Sequence, residues 1–201
     1  MLWTNILYNR RLAYRGGASN WLLNNLDSYY KLDSDVIDAH GSNDATATNL
    51  PYDTTNFVLG SASGDYNWTS SYVTGIPNYR GVNAFTINMW VRMDSVTAFQ
   101  GFYSVNYTGA PWTEKWVFRL DNTGHIQFSD QIAVATSSTG TLSLTTWAMI
   151  TLVRKTNTTF DFYINGSLDK SFTQTVATTG TIAGTWPTLW VMNTGTWQWL
   201  N

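Results

Sequence analysis

Residues Thr159-Phe160-Asp161-Phe162-Tyr163-Ile164-Asn165-Gly166-Ser167-Leu168-Asp169 read as strand, two-residue turn, strand. Phe160, Phe162 and Ile164 alternate with polar or amphipathic neighbours, the period a half-buried strand requires. Asn165-Gly166 supplies the residues that tolerate positive φ in a tight type I′ hairpin. A chain holding this unit is committed to antiparallel β structure there.

The rest of the chain has the same character. Ala84 to Met93 alternates strictly, with Phe85, Ile87, Met89, Val91 and Met93 on one face and Thr86, Asn88, Trp90 and Arg92 on the other. Further strands are predicted at Ser28–Leu32, Phe57–Leu59, Trp68–Val73, Gly101–Asn106, Lys115–Leu120, His125–Ser129, Trp147–Lys155 and Leu189–Met192. Asp121-Asn122-Thr123-Gly124 reads as the turn before the His125 strand, and Asp33 to Asn49 is loop chemistry. Helical periodicity is confined to one turn at 20–26, with Asn20 as its cap. Many short strands separated by Gly/Asn turns make the fold class all-β, a two-sheet antiparallel sandwich. Trp90 and Trp147 are expected to pack between or over the sheets. With 201 residues one large domain accommodates everything.

Charge excludes several partners. Only 12 % of residues are charged and the formal net charge is −2. Nothing here favours a phosphate backbone or an anionic bilayer, so neither nucleic acid nor membrane is an expected partner. The absence of cysteine excludes disulfides, zinc–thiolate sites and a cysteine nucleophile. The first residues, Met1 to Arg11, place their charges after the apolar positions, unlike an export signal. An extracellular location would then be reached by lysis or within an assembled particle.

Catalytic constellations are missing as well. Glycoside hydrolysis needs two carboxylates flanking the scissile bond. Glu114 is the single glutamate, and Asp161 and Asp169 are expected at turn and edge positions. No Gly-x-Ser-x-Gly elbow accompanies His40 and His125, which read as surface loop residues. The chain is expected to be non-enzymatic. Aromatic side chains, by contrast, are plentiful, with 11 Trp, 11 Tyr and 9 Phe. Trp112, Tyr107, Trp186 and Trp197 fall in loop-like sequence, where an indole or phenol face suits a sugar or a protein partner.

Four blocks, taken in order, resemble the laminin-G-like, concanavalin A-like jelly roll: Leu26-Asp27-Ser28-Tyr29-Tyr30-Lys31-Leu32-Asp33, the loop Asp38 to Thr46, Phe85 to Arg92, and Thr146 to Val153 with the hairpin that follows. The resemblance implies a jelly roll over residues 26–201, preceded by residues 1–25 as an N-terminal strand or docking arm. The family closes with a last strand where this chain stops at Gly195 to Asn201. Asn5 to Tyr14 is similar to that missing strand, so Ile6, Leu7, Tyr8 and Leu12 are expected either to close a sheet or to dock on another protein. The family's structural calcium implies an ion at Asp38, Asn43 and Asp44. The chain lacks the family's partner carboxylates, and an ion-free loop of Asx-turns stands beside that reading.

The opening Leu22-Leu23-Asn24-Asn25-Leu26-Asp27-Ser28-Tyr29-Tyr30-Lys31-Leu32-Asp33 resembles free-standing laminin-G-like domains carried on bacteriophage particles. That resemblance implies a virion surface protein, a capsid decoration or cement protein, adhering to other virion proteins or to sister copies. The alternative is an extracellular glycan-binding adhesin or lectin module.

Overall fold

The computed structural model describes residues 2–9, 26–67, 70–79, 84–97, 99–106, 115–130, 135–174 and 187–190. These residues form strands β1 (Leu2–Asn9), β2 (Leu26–Tyr30), β3 (Thr46–Thr48), β4 (Tyr52–Asp53), β5 (Ser63–Tyr66), β6 (Tyr72–Thr74), β7 (Phe85–Met93), β8 (Gln100–Asn106) and β9 (Lys115–Leu120). The series continues with β10 (His125–Asp130), β11 (Thr136–Thr141), β12 (Ala148–Arg154), β13 (Thr159–Ile164), β14 (Ser167–Thr173) and β15 (Pro187–Trp190). Among the described residues there is no helix, and so none long and apolar enough to cross a membrane.

The strands make two antiparallel sheets, the sandwich expected from the hydrophobic pattern and the jelly-roll kind that the resemblance implies. Sheet A runs β14-β13-β12-β7-β1-β5-β4, with β2 also paired to β1. Sheet B runs β11-β10-β9-β8-β15-β6-β3. β1 is an interior strand. It pairs with β7 along its whole length, from Leu2 opposite Met93 to Asn9 opposite Thr86. Its other side carries β5 at Leu2 to Thr4 and β2 at Ile6 to Asn9. Leu12 lies outside the described residues.

Between the sheets lies an aromatic core. Phe118 of β9 stacks on Phe162 of β13 with centroids 6.2 Å apart, and Phe128 of β10 meets Phe160 of β13 at 4.7 Å. Phe172 of β14 stacks on Phe160 at 5.3 Å. Phe85, Ile87, Met89, Val91 and Met93 are all buried, as the strict alternation of β7 requires. The residues facing away from the core follow the same rule. Trp90 and Trp147 are half-buried and lie outside the core cluster, over sheet A rather than between the sheets.

The hairpin between β13 and β14 turns on Asn165 (φ 51°) and Gly166 (φ 78°), the positive-φ pair a type I′ turn demands. Asn165 also docks on β12: its N–H donates to the Met149 carbonyl at 2.8 Å, and its Oδ1 accepts from the Met149 N–H at 2.9 Å.

One edge of the sandwich is sewn shut. The Asp169 carboxylate, on edge strand β14 of sheet A, accepts the N–H of Thr139 at 2.6 Å and of Gly140 at 2.7 Å, both on edge strand β11 of sheet B. Lys170 Nζ donates to the Ser137 carbonyl at 2.8 Å beside it. Backbone at the β11 edge is thereby satisfied by side chains of β14.

Some expectations need correction. Phe57–Leu59 is not a strand; Phe57 and Leu59 are 40 % and 45 % exposed in a bend, because no neighbouring strand pairs with them among the described residues. Asp161 is not at a turn or edge. It is buried in β13, where it accepts Lys155 Nζ at 2.7 Å and Ser171 Oγ at 2.6 Å. The 28–32 strand begins and ends two residues earlier, as β2. Residues 20–25 of the expected helical turn lie outside the described residues.

Candidate functional site

Asp38, Asn43 and Asp44 do come together, and Asp38 has both oxygens occupied by N–H groups of the loop and of β2. Asp38 Oδ1 accepts the N–H of Tyr29 at 2.8 Å and of His40 at 3.1 Å, and Oδ2 accepts the N–H of Asn43 at 3.2 Å. Asp44 Oδ1 accepts the Asp38 N–H at 3.0 Å. Asn43 Nδ2 donates to Ser28 Oγ at 2.8 Å, and the Asn43 carbonyl accepts the Tyr30 hydroxyl at 2.5 Å. Gly41 fits because a Cβ there would sit 2.7 Å from Asp38 Oδ2. Burial by itself would raise the Asp38 carboxyl, but the N–H groups of Tyr29, Gly41, His40 and Asn43 outweigh it and hold its pKa below the usual value. The arrangement staples the loop to β2. Among the described residues no group of three or more acidic or histidine side chains has the geometry to hold a metal ion.

A second constellation lies on the face of sheet B that points away from the core. Phe118, Leu120, Ile126 and Phe128 face inward, so alternation turns Arg119, Gln127 and Ser129 outward. In register, Arg119 stands opposite Gly101 on one side and Gln127 on the other, and Gln127 stands opposite Ser137. Neighbouring side chains across strands interact directly. Arg119 Nε donates to Gln127 Oε1 at 2.6 Å, and Gln127 Nε2 donates to Ser137 Oγ at 3.0 Å. The Arg119 guanidinium carbon stands 4.3 Å from the centroid of the Phe99 ring, a cation–π distance.

The ladder ends at Asp121. Its Oδ1 accepts the Thr123 hydroxyl at 2.6 Å, the Thr123 N–H at 2.9 Å and the His125 N–H at 3.0 Å, and its Oδ2 accepts Ser137 Oγ at 3.4 Å. His125 Nδ1 lies 2.8 Å from Thr123 Oγ1 and 3.7 Å from Asp121 Oδ1. Burial raises the Asp121 carboxyl, and these hydrogen bonds together with His125 pull it to a net downward shift. Burial lowers the Arg119 pKa, against the opposing charge of Asp121. The row Phe99–Arg119–Gln127–Ser137–Asp121 thus places a half-buried aromatic ring, guanidinium and hydroxyl on one face, fixed from beneath by the buried Gln127 and Asp121. No contiguous motif marks it in the sequence. Strand alternation places Arg119 and Gln127 outside, but their partnership depends on the β9–β10 register.

Tyr107, Trp112, Trp186 and Trp197 lie outside the described residues. The described residues that flank the first three do lie side by side: Asn106 is opposite Lys115, and Val105 is opposite both Trp116 and Pro187.

A family model described as the concanavalin A-like lectin/glucanases superfamily, of laminin-G type, matches residues 67–199. No curated protein matches the sequence. Among solved structures, domain 4 of AbnA, an extracellular GH43 arabinanase of Geobacillus stearothermophilus, in complex with arabinotriose, is similar with a TM-score of 0.60 and 15 % identity, over 83 % of this chain and 86 % of that one. The binding domain of Paraclostridial Mosquitocidal Protein 1 is similar with a TM-score of 0.60 and 14 % identity, over 78 % of this chain and 42 % of that one. The binding domain of Botulinum neurotoxin DC, in complex with rat synaptotagmin II, gives 0.56 at 14 % identity, over 78 % of this chain and 41 % of that one. At these identities the likeness is one of fold, and against the two toxin domains the chain spans about two fifths of their length. The chain belongs to the concanavalin A-like lectin/glucanases superfamily.

Proposed function

We propose that this member of the concanavalin A-like superfamily is a non-enzymatic glycan-binding module acting outside the cell. The observation that carries the reading is the outward ladder Phe99–Arg119–Gln127–Ser137. Sugar recognition asks for an apolar ring face beside several donors and acceptors held in one geometry. Here each polar side chain is oriented by the next, so little ordering entropy is lost when a ligand arrives. The structural relatives support a binding role: the arabinanase domain is seen with arabinotriose, and the toxin domains are binding domains, one seen with a protein receptor. None of these three is a virion component, so the capsid-decoration reading gains nothing from them and the glycan-binding alternative leads.

Trp112, Tyr107 and Trp186 are proposed as additional contacts, since their flanking residues meet at one end of the same sheet. A calcium ion is not needed by this reading, because the Asp38 loop is held by its own N–H groups. The test is a glycan array probed with the purified chain, with and without chelator. Saccharide binding that persists in chelator and is lost in Gln127→Ala supports the proposal. A chain that binds no saccharide refutes it.

A further inference from the structure

Arg119 is set up in an unusual way. It is half-buried on the outer face of sheet B, and Nε is already spent on Gln127 Oε1. Its Nη groups have no hydrogen-bond partner among the described residues, and Arg119 makes no ion pair among them either. The Asp121 carboxylate, whose charge acts on Arg119 without forming an ion pair, has both oxygens engaged by Thr123, His125 and Ser137. The guanidinium is nevertheless held in place, by Phe99 against its face and by Gln127 at its Nε edge. A partly desolvated cation whose Nη donors meet no carboxylate among the described residues costs stability, and the charge of Asp121 offsets only part of that cost. An incoming anion would offset that cost, whereas a neutral hydroxyl would satisfy the donors and leave the charge.

Resting on the glycan-binding reading above, we propose that Arg119 is the receptor for a sugar carboxylate, and that the module recognises acidic saccharides such as uronic- or sialic-acid-terminated chains. The planar fork of an arginine matches a carboxylate with two parallel N–H···O bonds. One fixed guanidinium suits a single negative charge better than a phosphate dianion. The hydroxyls of Ser137 and Thr123 lie along the same ladder to meet the ring hydroxyls of the sugar, while the buried Gln127 amide holds Arg119 in position.

The test is titration calorimetry with oligogalacturonate and sialyllactose, each as the free acid, as its methyl ester and with the carboxyl reduced to the alcohol, alongside neutral oligosaccharides and a polyglutamate peptide. The expected result is binding of at least one free acid, weakened about tenfold or more by esterification or reduction. Affinity should fall with added salt. Arg119→Gln should lose the preference for the acid, and Arg119→Lys should recover part of it. Melting curves establish that both variants fold; if Arg119→Gln does not fold, the acid-against-ester comparison on the unaltered chain decides alone. Equal binding of acid and ester, or unchanged affinity in a folded Arg119→Gln, overturns the carboxylate assignment and leaves the glycan-binding module standing. Polyglutamate bound as tightly as the free-acid sugars overturns the saccharide assignment. Failure to bind any saccharide overturns both.

Discussion

At the scale of single residues, the three aspartates with lowered pKa act as staples. Asp38 gathers main-chain N–H groups of its own loop and of β2, Asp121 gathers the β9–β10 turn, and Asp53 gathers Thr55 and Asn56. Burial opposes ionisation at each. Hydrogen bonds from Thr55 and Asn56 win at Asp53 and push it down to about 2. A carboxyl depressed in the folded state adds stability above its unfolded value of about 3.9, and that stability is lost as pH falls through the lower folded value. Thermal melting should therefore be flat from neutral pH to about 5 and decline between about 4 and 2. Asp38→Asn should flatten part of that decline. Asp38→Ala should cost about 2–3 kcal/mol at neutral pH, measured by urea denaturation, because several buried N–H groups lose their acceptor. The oxygen-rich composition of this loop is legible in the chain. Whether those oxygens meet a cation or amides is not, because the Tyr29 N–H that claims Asp38 comes from a strand nine residues away.

At the scale of elements, what could be read in advance was periodic and apolar. β7 shows nine residues of strict alternation, and β13–β14 carry alternation plus Asn-Gly. What escaped was short or polar. β11, Thr-Ser-Ser-Thr-Gly-Thr, has no apolar period, and β3 and β4 hold three and two residues. These segments are strands because of their neighbours. β11 lies between β10 and the Asp169 carboxylate, a constraint that arises only once the two sheets stack. Asp169→Ala should therefore speed hydrogen exchange at the Thr139 and Gly140 amides selectively, leaving β7 protected, and cost about 1–3 kcal/mol. Gly140→Ala should act at the same place, since a Cβ there would lie 2.9 Å from Asp169 Oδ1. Phe57–Leu59 shows the converse, an apolar segment that forms no strand.

At the scale of the whole molecule, sheet A is organised around β1, which takes β7 on one side and β2 with β5 on the other. Removing residues 2–9 should abolish the cooperative melting transition rather than merely lower its midpoint, because it opens the sheet at its centre and bares two edges at once. An unchanged transition would show that the remaining strands close without it. Phe118→Ala, which empties the stack against Phe162, should cost about 3–5 kcal/mol in the same assay and keep the transition cooperative. The position of β1 also has a consequence in time. β1 leaves the ribosome ahead of β7 by roughly 80 residues, so at about 5–20 residues per second it waits some seconds for that mate. Until then its β7-facing side is an unclaimed β-edge in a crowded cell, even once β2 and β5 have taken the other side, and whatever shields it during synthesis governs how much of this protein is ever made in usable form.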